Sequence, residues 1–450
     1  MTNSPDSGPR PMIDDPMAWL VSLQRFGMNP GLSRVHALLA AIGTPQRAFE
    51  VVLVAGTNGK GSTAKVLSAC LRGAGRRTGL FISPHLQRFG ERATVDGAET
   101  SAAEMADAIR LVRPHAERLG ATFFEVVTAV CALVFKRAGV KVAVMEVGLG
   151  GRLDATNALE PVLSIITSVA LDHMAVLGQD VASIAIEKAG VMRQAVPALT
   201  AATGSALRAI EDEALRIGAP LTVLGRDLHV RVLGSSWDGL ELAMTGLVDD
   251  IDAELRVSTP LVGRHQAHNV ALACAGAVVM HVPRAAVRAA VEGAVWPGRL
   301  ERIAYRGRHV VLDGAHNSQS AEALAMAMTE LAPTCDVLVL GTSADKDHDG
   351  LLGPLVQVAP TVVVTRSALS PRATEPTRLA ELVVEAQVGA GLEPRKLEVI
   401  TIGDPAEALA VALDLAPPGG TIVVAGSLFL VGEMRTLLLD EQGEQAERWQ

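Results

Sequence analysis

Gly56-Thr57-Asn58-Gly59-Lys60-Gly61-Ser62 stands between an apolar run, Val51–Ala55, and an alanine-rich stretch, Thr63–Ala74. A glycine-rich turn from a buried strand into a helix lets backbone N–H groups approach phosphate oxygens at the helix N-terminus. Lys60 and the Ser62 hydroxyl are the residue types that serve β/γ-phosphates and magnesium. The match to GxxxxGK[ST] is imperfect, because position 54 is Val and Gly61 separates the lysine from the hydroxyl. With strand and helix both in place, a nucleotide turn is a better reading than an unliganded Gly-rich turn.

Five further groups, with Arg299 beside them, have residue types suited to chemistry. Glu146 opens Glu146-Val147-Gly148-Leu149-Gly150-Gly151-Arg152 at the end of an apolar run, and a carboxylate at a strand's C-terminal edge beside a P-loop suits magnesium. Asp172-His173 follows another such run, but magnesium prefers oxygen, so on chemistry alone His173 reads as structural. Glu187-Lys188-Ala189-Gly190 contains a lysine in a chain with seven lysines against thirty-three arginines. Charge alone would be met by arginine, whereas a buried lysine amine can lose its proton and react. In the second half, Asp313-Gly314-Ala315-His316-Asn317 and Ala344-Asp345-Lys346-Asp347 each follow an apolar run, and Arg299 stands where it could reach a phosphate across a gap between domains.

These residues need a scaffold with many strand ends at one edge. The chain has 450 residues and a net charge of −9, with 49% hydrophobic but only 3% aromatic residues. That length predicts two or three domains, and the acidic balance disfavours nucleic acid as a partner. Four scattered cysteines predict neither a disulfide framework nor structural zinc. No stretch predicts a signal peptide or a membrane span, which leads us to expect a cytoplasmic protein.

Short Val/Ile/Leu runs alternating with amphipathic stretches predict an α/β protein with parallel sheets. Expected strands are 51–55, 79–82, 142–147, 164–168 and 197–200, then 309–312, 337–340, 361–365, 397–402 and 421–425. Residues 229–259 read as a β-hairpin turning near Trp237-Asp238-Gly239. Trp296-Pro297-Gly298 suits a linker. The expected organisation is a loose tail over 1–20, an ATP-binding unit over 21–296 and a second unit over 297–450. The first is doubly wound and P-loop ATPase-like with a small hairpin addition, the second a Rossmann-like α/β unit.

Taken together, the motifs resemble folylpolyglutamate synthase, in its bacterial form that is also dihydrofolate synthase, within the Mur ligases. The resemblance runs from Phe26-Gly27-Met28 to Gly426–Glu433. It rests on GTNGKGS at 56–62, SPHL at 83–86 with Glu91-Arg92, EVGLGGRLDATN at 146–157, DH at 172–173, EKAG at 187–190 and DGAHN at 313–317. It implies an ATP-dependent amide ligase that adds L-glutamate to dihydropteroate and to the γ-carboxyl of reduced folates through an acyl phosphate. It further implies that Thr57, Asn58, Gly59, Lys60, Gly61, Ser62, Asn269, Arg299 and Asp313 hold ATP. Ser83, Glu146, His173 and a carbamylated Lys188 would bind two Mg2+ ions, with K+ as a further candidate, and this reverses the structural reading of His173. Lys60, Lys188 and His316 are implied to be catalytic, His316 beside the incoming glutamate. Thr122, Phe123, Phe124, Glu125, Leu153, Asp154 and Ala155 are implied to face the pterin. Ser318 departs from the proline that often follows the HN pair. A uridine-nucleotide ligase of the Mur type would need a domain ahead of the P-loop, for which the 55 residues before Gly56 leave no room. The implied protein is a monomer whose partners are small molecules, with no nucleic acid and no membrane.

Overall fold

The computed structural model describes residues 14–26, 31–389 and 397–439. Gly27, Met28, Lys396 and the termini beyond lie outside the described residues. Asp15 caps the first helix, α1 (Pro16–Ser22), its carboxylate accepting from the amides of Met17 at 2.7 Å and Ala18 at 3.2 Å. Trp19 and Leu20 are buried. Residues 16–20, expected in a loose tail, are therefore helical and anchored, because two large apolar side chains there find a core to enter.

Two mostly parallel sheets carry the chain. The strands of the first are β1 (Glu50–Ala55), β2 (Thr78–Phe81), β3 (Ala93–Val95), β4 (Ala98–Glu99), β5 (Val142–Glu146), β6 (Leu163–Ile166), β7 (Ala198–Thr200) and β8 (Leu221–Val223). They run in the order β4-β3-β2-β5-β1-β6-β7-β8, with β3 and β4 antiparallel at one edge. Helices cover both faces: α2 (Ser33–Ala41), α3 (Lys60–Gly73), α4 (Ala102–Leu119), α5 (Phe123–Arg137), α6 (Met174–Leu177), α7 (Val181–Ala189), α8 (Gly204–Ile217), α9 (Gln266–Val279) and α10 (Arg284–Glu292). Strands buried on both faces explain the continuous apolar runs. Residues 51–55 and 142–146 are all essentially inaccessible.

The hairpin expected over 229–259 gains a third strand. β9 (His229–Ser236), β10 (Gly239–Thr245) and β11 (Leu255–Thr259) form a separate antiparallel sheet, because alternating apolar residues of β11 pack the same face as β10.

The second large sheet uses β12 (Glu301–Tyr305), β13 (Arg308–Leu312), β14 (Val337–Leu340), β15 (Thr361–Val364), β16 (Glu398–Thr401) and β17 (Thr421–Ala425) in the order β12-β13-β17-β14-β15-β16. Only β12 is antiparallel to its neighbour. Its helices are α11 (Ser318–Leu331), α12 (His348–Leu355), α13 (Pro376–Gly389), α14 (Pro405–Leu415) and α15 (Leu428–Leu439). None of the described helices is long and apolar enough to cross a membrane.

Candidate functional site

The C-terminal ends of β1, β5 and β6 face those of β13 and β14 across a cleft of about 1150 Å³. Strand order explains the convergence, since β1 lies between β5 and β6 and the loops leaving all three meet at one edge. Gly56 (φ 142°) and Gly59 (φ 85°) occupy backbone conformations that favour glycine. A Cβ at Gly56 would strike the Thr167 side chain, and one at Gly59 the Asn269 amide. The turn is thus clamped from both sides, and Thr167 Oγ1 donates to Asn58 O at 2.7 Å. Lys60 Nζ donates to the carbonyls of Gly56 and Thr57 at 3.1 and 3.0 Å. The Trp296 ring lies over Gly61, 3.0 Å from where a Cβ would be, and under the Lys65 ammonium.

Glu146 ends β5 with a carboxylate that is 6% exposed. Burial raises its pKa against the opposing field of Lys60, and Oε2 accepts from Ser83 N at 3.0 Å. Ser83 belongs to a loop wrapped around Glu91, whose carboxylate accepts from the amides of Leu86, Gln87 and Arg88. The fully buried Arg92 donates to Ser83 Oγ at 3.3 Å and to His85 Nδ1 at 2.8 Å, and desolvation lowers its pKa to about 10.

Lys188 is 4% exposed on the last turn of α7, and its Nζ donates to Gly56 O at 2.8 Å. Desolvation first, then the nearby Lys60, lowers its pKa to about 7. An amine in that condition is largely neutral at mildly alkaline pH and so is nucleophilic. The loop after β5 secures it: Arg152 N donates to Glu187 O at 2.8 Å, and the Asn157 amide reaches Arg152 O at 2.9 Å and Gly190 O at 3.0 Å. EVGLGGRLDATN and EKAG are therefore two halves of one packed joint.

His173 has φ 49°, lines the cleft, and keeps Nε2 3.8 Å from Asp172 Oδ1. Burial alone would raise the Asp172 pKa, but His173, Lys346 and His316 together bring it down to about 2. Lys346 Nζ, from the second unit, donates to Asp172 Oδ1 at 3.2 Å. Among the described residues no three His, Cys, Asp or Glu side chains cluster as a metal cage. The donors on hand for a hard cation are hydroxyl and carboxylate oxygens, Ser62, Ser83 and Glu146, beside a turn shaped for phosphate. That set suits magnesium.

In the second unit Asp313 accepts from Leu300 N and Ala315 N, both at 2.9 Å, and its burial raises its pKa. Arg299 Nη1 lies against Gly314 and donates to Gly298 O at 3.1 Å. Asn269, on α9, donates to Gln266 Oε1 at 2.8 Å. His316 is held neutral, its pKa lowered to about 4 by burial and by Lys346. Its Nδ1–H donates to Gly314 O at 2.7 Å, which leaves Nε2 as an acceptor. Asn317 caps α11 and exchanges amide hydrogen bonds with Asn58 across the seam, at 3.0 and 3.2 Å.

Four of the residues the resemblance implies for the pterin do not line this cleft. Glu125 back-caps α5 at Thr122 and pairs with Arg34 at 3.1 Å, so its charge is spent inside the fold. Asp154 accepts from Leu149 N and Thr156 N and shapes the glycine loop, Ala155 is buried, and Leu153 is exposed. Thr122, Phe123 and Phe124 do line it, with both rings half-buried. Sequence reasoning passed over Trp296 as linker and left Arg92 and Gln319 without a role. Only Arg92 carried a signal, its place in the SPHL…ER motif.

The Mur ligase middle domain matches residues 54–277, and the Mur ligase glutamate ligase domain matches residues 298–428. A dihydrofolate synthase/folylpolyglutamate synthase of Mycobacterium tuberculosis is 34% identical over 91% of this chain and 90% of its own. The chain belongs to the dihydrofolate synthase/folylpolyglutamate synthase family of Mur ligases. A probable bifunctional folylpolyglutamate synthase/dihydropteroate synthase of Haloferax volcanii is 39% identical over 93% of this chain, which spans about half (49%) of that relative's length. Among solved structures, Escherichia coli FolC in complex with DHPP and ADP superposes with a TM-score of 0.84 at 30% identity, over 95% of this chain and 99% of that one. The two domain matches of this ligase family meet between 277 and 298, the stretch that holds Trp296.

Proposed function

We propose that this protein is an ATP-dependent ligase that joins L-glutamate to dihydropteroate and to the γ-carboxyl of reduced folates. The observation that carries the reading is the meeting of the phosphate turn, the buried Lys188 amine and the Asp313–His316 strand end in one cleft. The relatives named for both activities support it, as does the E. coli structure holding ADP and DHPP.

A carboxylate is a poor electrophile, so the reaction begins with phosphoryl transfer from ATP to the acceptor carboxyl. Backbone N–H groups of the 56–62 turn and the Lys60 ammonium would offset charge on the transferring group. Bound magnesium would act as a Lewis acid on the phosphate oxygens, with Ser62, Ser83, Glu146 and His173 as its holders and two ions in all. The Lys188 amine, its pKa lowered to about 7, is suited in its neutral form to take up CO2, forming an N–C bond and releasing a proton, which would convert it to a carboxylate-like ligand. The glutamate amine then displaces phosphate and leaves an amide. His316, neutral and with Nε2 free of a proton, adds no charge against that amine and can accept a hydrogen bond from it. Asn269, Arg299 and Asp313 would hold the rest of the nucleotide. Phe123 and Phe124 offer flat faces to the pterin. Closure of a unit over 21–296 onto one over 297–450 would exclude water from the acyl phosphate.

Phosphate release with ATP, Mg2+ and glutamate, offering dihydropteroate and a reduced folate separately, tests the reading. Release with both is expected. Release with neither overturns it, and silence with dihydropteroate alone reduces it to tail extension.

A further inference from the structure

The seam between the two units is fastened at the phosphate turn itself, through a side chain that no motif singled out. Gln319 sits on the first turn of α11, and its Oε1 accepts from Asn58 Nδ2 at 2.7 Å and from Ser168 Oγ at 3.1 Å. Asn58 lies in the turn and Ser168 just past β6, both in the first unit. The neighbouring Asn317 exchanges hydrogen bonds with the same Asn58 side chain and donates to Asp172 Oδ2 at 3.2 Å. The far end of α11 is held too, because Trp237, in the β9–β10 turn, donates from Nε1 to Leu331 O at 2.9 Å, and Arg264 pairs with Glu330 at 3.0 Å. A helix tied at both ends to the first unit cannot tilt without moving Asn58. Gln319 offers only its acceptor oxygen to these partners.

We propose that Gln319 is a positioning residue that locks the second unit onto the phosphate turn through Asn58 and Ser168, so that phosphoryl transfer proceeds only when the glutamate side of the cleft is in place. The proposal rests on the ligase reading above. It makes two consequences separable. Loss of the acceptor loosens the seam whether or not the protein turns over, and it uncouples ATP hydrolysis from amide formation in a protein that does.

Gln319→Leu removes the acceptor, while Gln319→Glu retains it. Two lost hydrogen bonds correspond to a roughly tenfold effect. Gln319→Leu is expected to lower kcat for ligation about tenfold, with KM for ATP within about twofold, and to raise the ADP formed per amide bond; Gln319→Glu is expected to restore much of the coupling. Small-angle scattering of the uncomplexed proteins reads the seam directly, with a larger radius of gyration expected for Gln319→Leu than for wild type. Unchanged scattering together with unchanged coupling overturns the lock. A wild type that ligates nothing, with the scattering difference still present, overturns the ligase reading and leaves the seam contact standing.

Discussion

At the scale of residues, two side chains have their chemistry set by burial. Lys188 loses hydration beside a second cation, and arginine cannot reproduce a neutral amine. Lys188→Arg is expected to reduce ligation by roughly 10–100-fold while leaving the circular dichroism spectrum and melting behaviour close to wild type. Wild-type rates in that variant would show that a neutral amine is not needed. His316 gives a prediction on pH. Its folded pKa of about 4 lies below its ordinary 6.5, so between those values the unfolded chain binds a proton that the folded chain does not. Its contribution is full above 6.5 and is lost as pH falls toward 4. Urea unfolding across pH 4–7 is expected to show wild type losing on the order of 3 kcal/mol more than His316→Asn. Equal slopes would contradict the assignment. Lys188 could be suspected from the sequence because lysine is rare in this chain. The neutrality of His316 could not, since it depends on burial in the folded cleft and then on Lys346, thirty positions on.

At the scale of elements, motifs prove to be joints. The loop after β5 and the end of α7 are read separately in the sequence, yet Asn157 and the packed glycines 151 and 190 make them one unit, with Gly151 lacking room for a Cβ against Lys188 backbone. Asn157→Ala is expected to cost about 1–2 kcal/mol of stability and to lower ligation as well, because the support of Lys188 goes with it. A stability loss without an activity loss would separate the joint from the site. The parallel strands other than β8 were legible because burial on both faces makes them continuously apolar. β3, β4, β8 and β12 were not, since they lie at or beside a sheet edge and are mostly short. The third strand of the small sheet was hidden inside an expected hairpin, since pairing with β10 is a long-range choice that alternation alone does not announce.

At the scale of the whole molecule, the cleft depends on two sheets presenting their C-terminal edges to each other. MgADP is expected to raise the melting temperature, because a ligand at 100 times its Kd adds about 2.7 kcal/mol, and ADP with a chelator is expected to raise it far less. Equal shifts with and without the chelator would argue against a metal role for Glu146 and Ser83. The sequence by itself determined the strand-turn-helix of the phosphate loop, the alternation of strand and helix, and the order of the motifs, because glycine, proline and apolar spacing act locally. Only the tertiary structure decided which motif residues reach the cleft. Glu125 and Asp154 are consumed by caps and loop bonds, while Trp296, Arg92 and Gln319 are brought into the cleft by packing, and of these only Arg92 stands in a motif. The reason is physical: a side chain's partners are set by which strand ends lie side by side, and that order is fixed by burial across the whole sheet.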